Sequence, residues 1–339
     1  WRFLWGPVAD LTLSARRWYF IGLGASAGTL LVLSFAPLHG NAARWLGLVV
    51  FLSQVAATLI VLPVGGLMAH TVAEEAKGRA SGWYQAGNLG GTGVGGGAGV
   101  WLASHFSRGI AGGVLAFAMI ACALVVYIVP DVRVVSTETV GQRVRLMGRD
   151  IAAMLRAAIP LFTIFLILSP LAAGAMNNLW SAVAPDWSAS PDRVAFVTGL
   201  LNGVVSALGC IIGGWAADKV GRWWSYFGSG VALAVVASAM ALAPRNPLTY
   251  AIGVLAYALF CGMAYAAFSA VVLFAIGRGV ASTKYAILSS LGNIPVVYMT
   301  AANGWVHDRF GTVWMLHGEA IAGVAAAAVA LAVLNKLRG

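Results

Sequence analysis

Charge is what this sequence has least of. Only 9% of its 339 residues are Asp, Glu, Lys or Arg, where a soluble domain carries roughly 25%. That is too little to cover a globular surface, and it argues against a soluble enzyme, a disordered scaffold or a nucleic-acid module. Acids are scarcest, 11 against 21 basic residues. Lysine is nearly absent, 4 against 17 arginines, and no Asn-x-Ser/Thr acceptor occurs. Both facts lean towards a bacterial protein. The three cysteines, Cys122, Cys210 and Cys261, lie far apart in apolar runs, so neither a disulfide framework nor a zinc site is expected. His39, His70, His105 and His307 fall in loops and form no metal set. No nucleophile, base and orienter can be assembled, so no enzyme and no cofactor is expected.

What is present is hydrophobic. Such residues make up 60% of the chain, and the mean hydropathy is +0.86. A transmembrane helix needs about 20 mostly apolar residues. That length gives a stub at 1–9 and spans near 17–37, 46–69, 80–103, 109–129, 157–181, 195–216, 224–243, 248–275, 282–305 and 312–334. Alternate loops collect 15 of the basic residues, the opposite loops five, with Arg2 inside the stub. This asymmetry accounts for the net charge of +10 by the positive-inside rule, without nucleic acid. It places the central loop and the C-terminus in the cytoplasm of a multi-pass inner-membrane protein, expected to be a monomer. Tryptophans such as Trp18, Trp45, Trp101, Trp180 and Trp305 fall near span ends, as an interfacial belt does.

The polar stretch at 130–156 divides the chain. Val140, Val144, Met147, Ile151 and Met154 recur there at helical spacing, with Arg143, Arg145 and Arg149 off that face. This pattern suits an amphipathic helix on the inner surface; a solvated linker is the alternative. Two halves flank it. Gly6 and Asp10 match Gly214 and Asp218 at an offset of 208 residues, and Gly87-Asn88-Leu89 matches Gly292-Asn293-Ile294 at 205. The expected organisation is therefore a helical half at 1–129, a cytoplasmic loop at 130–156 and a six-helix half at 157–339. Since residue 1 corresponds to about 209 in the second copy, about 50 residues, the first helix and most of the second, are expected to be missing from the first half.

The second half carries Gly214-Trp215-Ala216-Ala217-Asp218-Lys219-Val220-Gly221-Arg222. With twelve spans in two halves and a basic central loop, this resembles the cytoplasmic loop motif of the major facilitator superfamily. The first copy keeps Asp10, Arg16 and Arg17 at a longer spacing and has no counterpart of Gly221. Its Trp5-Gly6-Pro7-Val8-Ala9-Asp10, with Glu75–Gly78 and Gln85 before a Gly-rich helix, is similar to the muropeptide-permease and acetyl-CoA-transporter branch. The resemblance implies an all-α fold of two six-helix halves. It also implies a gating motif of Asp10, Arg16, Arg17, Asp218, Lys219 and Arg222. In it Asp218 and Arg222 latch onto the span starting near Ala80, and Asp10 latches onto the span starting near Ala281. A carboxylate there meets free backbone N–H groups and the positive end of a helix dipole. Loop charges that only enforce topology are the bland alternative.

Residues 82–99 hold nine glycines. Gly91-x-Gly93-x-x-Gly96 follows no strand and precedes no Gly-Lys-Ser/Thr, so a phosphate loop is rejected. Gly87, Gly91, Gly95 and Gly99 step by four and suggest a smooth face for helix packing. Polar groups in spans ask for a reason. Arg2 is a candidate for an anionic solute group or a coupling acid, against snorkelling or an effect of truncation. Asn88 and Asn293, related by the repeat, and Gln85 are candidate cavity residues, against interhelical hydrogen bonds. Asn177 and Asn178 follow Pro170 and Gly174, which can break a helix where carbonyls face a cavity. Asn202 and Tyr265 complete the candidate solute-binding set. Glu319, close to His317, is the one acid well inside a full span and a candidate proton site; local pairing near the outer surface competes with that role.

These features lead to a secondary active transporter moving a small polar or anionic solute by alternating access, with protons as the expected partner ion. A non-transporting assembly or sensing factor on the same fold is the rival.

Overall fold

The computed structural model describes residues 2–36, 42–128, 140–277 and 281–338. The side chains of Arg2, Arg143 and Arg338, and the whole of His39, Arg133 and Arg278, lie outside the described residues. Every described element is helical. Eight helices are long and apolar enough to cross a membrane: Ala15–Phe35, Arg44–Thr71, Arg108–Tyr127, Pro191–Lys219, Arg222–Leu242, Pro247–Ile276, Ala281–Phe310 and Thr312–Lys336.

Two expected spans differ. The helix α4 (Lys77–His105) is continuous over 29 residues, about 43 Å at 1.5 Å per residue. It is absent from the eight because its glycines, apolar but without side chains, dilute its hydropathy. The span expected at 157–181 is broken. Helix α7 (Ala158–Leu168) stops before Ser169-Pro170, and short turns follow at Pro170–Ala172 and Ala175–Asn178. Pro170 has no N–H to continue the ladder, and Gly174 takes a left-handed φ of 65°. The freed Leu168 carbonyl accepts the Tyr298 hydroxyl at 2.9 Å, which meets the need for a partner at membrane depth.

Capping residues set several helix starts. Ser14 accepts the Arg17 N–H before α2 (Ala15–Phe35), and Ser107 accepts the Ile110 N–H before α5 (Arg108–Cys122). Asn246 accepts from Leu248 and Thr249 at 3.0 and 2.9 Å before α12 (Pro247–Ile276), whose first residue is a proline.

The chain separates into two compact units. One is Trp1–Val72, Gly97–Ala153 and Ile276–Ile287; the other is Ala73–Gly96, Met154–Ala275 and Leu288–Gly339. Each thus takes a short segment from the other half of the sequence. In the first, α1 (Arg2–Leu11) and α2 pack on α3 (Ala42–Thr71) and α2 packs on α5. Close approach is permitted by small residues: a Cβ on Gly22 would sit 2.9 Å from the Ile60 nitrogen. Helix α6 (Val140–Arg156) has the expected amphipathic pattern.

In the second unit, α10 (Asn202–Lys219) lies against α4 and α12 through glycines. A Cβ on Gly203 would fall 2.5 Å from the Gly93 Cα, and one on Gly213 2.5 Å from the Met263 Cα. Apolar burial does little to join helices in lipid, so such backbone contact has to. Helix α11 (Arg222–Leu242) packs on α15 (Thr312–Arg338). Trp180, Trp187, Tyr250, Tyr257 and Met315 fill the core beside them.

Candidate functional site

Two helix N-termini carry a carboxylate from distant sequence. In the second unit, Asp218, at the end of α10, accepts the backbone N–H of Gly78 at 2.7 Å and of Arg79 at 3.0 Å. The Arg79 Nε adds a third bond at 3.1 Å. Only glycine fits at position 78, since a Cβ would strike the Asp218 Oδ1 and lie 2.5 Å from the Gly214 carbonyl. Charges gather around this cap. Lys77 is buried, and its Nζ reaches Glu74 at 2.7 Å and the Leu273 carbonyl at 3.3 Å. The guanidinium of Arg222 lies 3.7 Å from Glu74 and 4.1 Å above the Phe274 ring. Arg222 therefore braces the cap through Glu74. Lys219 is exposed, with no charged partner among the described residues.

In the first unit, Asp10 accepts both the N–H and the hydroxyl of Thr283, at 2.8 and 2.7 Å. Thr283 stands in the first turn of α13 (Ala281–Leu291). Next to it the buried Lys284 pairs with Asp150 of α6 at 3.1 Å, and Met147 lies 3.9 Å from the Thr283 hydroxyl. Arg16 sits 5.9 Å from the Tyr127 ring. Arg17 contributes its backbone N–H to the Ser14 cap.

The second unit also contains a small open cleft with about 50 Å³ of water-accessible space. Tyr226, Tyr265, Phe268, Ser289, Asn293 and Val296 line it, with small apolar residues between them. Of the expected solute-binding set it brings together Tyr265 and Asn293. Asn293, at the start of α14 (Asn293–Phe310), donates to the Ser289 carbonyl at 3.3 Å. The others lie elsewhere. Asn88 is exposed and donates to the buried Gln85 at 3.2 Å. Asn177 donates to the Cys261 Sγ at 3.1 Å, and Asn178 to Thr300 at 3.1 Å. Asn202 accepts from Ser206 at 3.4 Å and is followed by the rest of α10, after a π-helical turn at Phe196–Leu201.

Glu319 is 7% exposed. It accepts the Tyr257 hydroxyl at 2.9 Å and the Asn303 amide at 2.6 Å. No cation pairs with it among the described residues, and His317 is not its partner.

The expected glycine ladder needs a correction. Among the described residues, nothing lies within 4 Å of a Cβ placed on Gly87, Gly91 or Gly95, and Gly99 meets only a Leu115 methyl at 3.1 Å. The face in close contact carries Gly78, Gly82, Gly90 and Gly93. Both faces have small residues at helical spacing; the glycines of α10 select the second. Sequence reading also missed Glu74, Arg79, Tyr226, Tyr257, Asn303 and the Lys284–Asp150 pair. Thr283 was accessible to it, being 205 residues after Gly78, the same offset that relates Gly87 to Gly292.

Comparison with known proteins extends these observations. No curated protein matches the chain at a significant level. Solved structures do. The human organic anion transporter MFSD10 (TETRAN) superimposes with a TM-score of 0.72 at 13% identity, over 97% of this chain and 80% of that one. The proton:xylose symporter XylE gives 0.67 at 13% identity, over 96% and 82%. A bacterial homologue of the iron transporter ferroportin, in its outward-facing state, gives 0.59 at 15% identity, over 98% and 87%. At such identities the likeness concerns the fold. The family profile of the Major Facilitator Superfamily matches residues 2–297, and with an all-helical, multi-pass architecture on that fold the chain belongs to the major facilitator superfamily.

Proposed function

We propose that this chain is a proton-coupled transporter that moves a small polar solute across a bacterial inner membrane by alternating access. The observation that carries the reading is the pair of repeat-related carboxylate caps. Asp218 and Asp10 each join a helix end of one sequence half to a helix start of the other, across 140 and 273 residues. Caps of this kind are made and broken as units, because each holds several donors at once. They act as latches on the cytoplasmic side, and their release admits the solute from, or delivers it to, the cytoplasm. Arg79, Glu74 and Arg222 reinforce one latch, and Lys284 with Asp150 the other.

Glu319 is the acid that takes up the coupling proton. A buried carboxylate supplied only with neutral donors exchanges its proton when a conformational change admits water or withdraws Tyr257 and Asn303. The three structural neighbours are described as an organic anion transporter, a proton:xylose symporter and a bacterial homologue of an iron transporter. Their diversity supports transport and leaves the solute open.

The test is uptake by the full chain in liposomes with internal pH followed, against muropeptides, coenzyme-A thioesters, siderophores and sugars. Acidification that accompanies one class, and is lost in Glu319→Gln, supports the reading. Uptake of that class with unchanged internal pH removes the proton from it. If no solute moves or binds, a non-transporting assembly or sensing role replaces it.

A further inference from the structure

We infer that the cleft of the second unit receives an uncharged, hydroxyl-bearing part of the solute. The inference rests on the transport reading and narrows the substrate class. No Asp, Glu, Lys, Arg or His lines the cleft among the described residues. A carboxylate or phosphate entering it would lose water and meet no counter-charge, a transfer that is strongly unfavourable. A helix N-terminus does not supply the missing charge either. Gly292 is itself helical, with φ −61° and ψ −17°, so α13 runs into α14 without a row of free N–H groups.

The tyrosines point to what the cleft accepts. In this unit Tyr250 bonds the Trp180 carbonyl, Tyr257 bonds Glu319 and Tyr298 bonds the Leu168 carbonyl. The two whose hydroxyls meet no described partner, Tyr226 and Tyr265, are the two that line the cleft. Tyr226 is 5% exposed, and its hydroxyl opens into the cleft rather than into the packed core. A phenol that reaches water only through the cleft favours a ligand that takes over that hydrogen bond. Asn293 places one of its two amide N–H groups on Ser289 and keeps the other, with its carbonyl oxygen, for a ligand. Two phenols and one amide, each able to donate and to accept, suit neutral hydroxyl or amide groups. The Phe268 ring and the flanking Ala264, Pro295 and Val296 cover a carbon-rich face of the same ligand.

The experiment uses the purified full chain and matched pairs of probes: methyl glucoside with methyl glucuronide, inositol with inositol phosphate, and a phenyl glycoside with its phosphate. Thermal shift reads binding, since a ligand selective for the folded state raises Tm, by at least about 2 °C at saturating probe. At least one neutral member is expected to raise Tm while its charged counterpart does not. Asn293→Ala should abolish the shift, and Tyr265→Phe should weaken binding about three- to tenfold. Tyr226→Phe should weaken binding to a similar degree. Charged members binding as well as neutral ones overturns the inference and leaves the transport reading standing. Binding unchanged when Tyr226→Phe and Tyr265→Phe are combined, or no binding by any probe, also overturns it. Neutral probes that bind but never enter liposomes uphold the cleft chemistry and sink the transport reading.

Discussion

Asp218 and Gly78 meet across 140 residues, the carboxylate taking the glycine N–H at 2.7 Å where no side chain would fit. The glycine is part of the latch, since it lets the carboxylate reach two successive backbone donors. Asp10 makes the corresponding approach to Thr283, which supplies a hydroxyl as well as its N–H.

The two latches differ in strength. Asp218 accepts three bonds, one from a guanidinium, and Asp10 accepts two from one neutral residue. Asp218→Ala should cost about 2 kcal/mol and Asp10→Ala about 1 kcal/mol, given typical losses for a cap and for a charged hydrogen bond. Chemical denaturation in detergent measures both. Equal losses would mean that Arg79 adds nothing to the cap.

Substitutions along α4 separate its two glycine faces. Gly93→Ala should destabilise by about 1–3 kcal/mol, because the new methyl would lie 2.6 Å from the Gly203 Cα. Gly91→Ala meets open space among the described residues and should be neutral or gain up to about 1 kcal/mol of helix propensity. Thermal unfolding of the two variants decides, and the reverse order would restore the ladder of Gly87, Gly91 and Gly95 as the packed face.

The spans were legible because a membrane demands runs of about 20 apolar residues, and a repeat at a near-constant offset exposes two halves. The capped positions came from the resemblance to the family's loop motif, which implied that Asp218 and Asp10 reach the spans starting near Ala80 and Ala281. Choosing between the glycine faces was not possible, because both satisfy the same spacing and the choice belongs to Gly203 and Gly214 on another helix. The partner of Glu319 was equally hidden. His317 is two residues away and points to the opposite side of a helix, while Tyr257 and Asn303 come from helices 62 and 16 residues distant.

Glu74 gives the braced latch a dependence on pH. The hydrogen bond from Lys77 holds its carboxyl below the usual carboxylate range, helped by the charges of Lys77 and Arg222. A depressed folded-state value means that the ionised group stabilises the folded chain at neutral pH, a contribution lost as pH falls through that value. Glu74→Gln should therefore lower Tm slightly at pH 7. The gap to the parent chain should close below about pH 4. Glu74 is largely exposed, so the effect is small. A gap that persists in acid would assign Glu74 a role independent of its charge.

Glu319 should govern pH dependence rather than folding. Glu319→Gln keeps the shape; its carbonyl oxygen accepts from Asn303, and its amide N–H donates to the Tyr257 hydroxyl instead of accepting from it. Tm should therefore change by no more than about 2 °C, with solute uptake made independent of the proton gradient. Glu319→Leu leaves Asn303 without its acceptor and should destabilise by about 1–3 kcal/mol. Uptake by Glu319→Gln that still follows the gradient would move the coupling proton elsewhere.

The latches themselves are tested most directly by access to the helix start they cover. Ser81 is fully buried one turn into α4. Changed to cysteine, with Cys122, Cys210 and Cys261 replaced by alanine, it offers a single thiol to a membrane-impermeant reagent applied from the cytoplasmic side. The account predicts slow labelling in this background and labelling about thirtyfold faster when Asp218→Ala is added, the factor that a lost cap of about 2 kcal/mol produces. Equal labelling rates with and without Asp218 would contradict a latch that controls access.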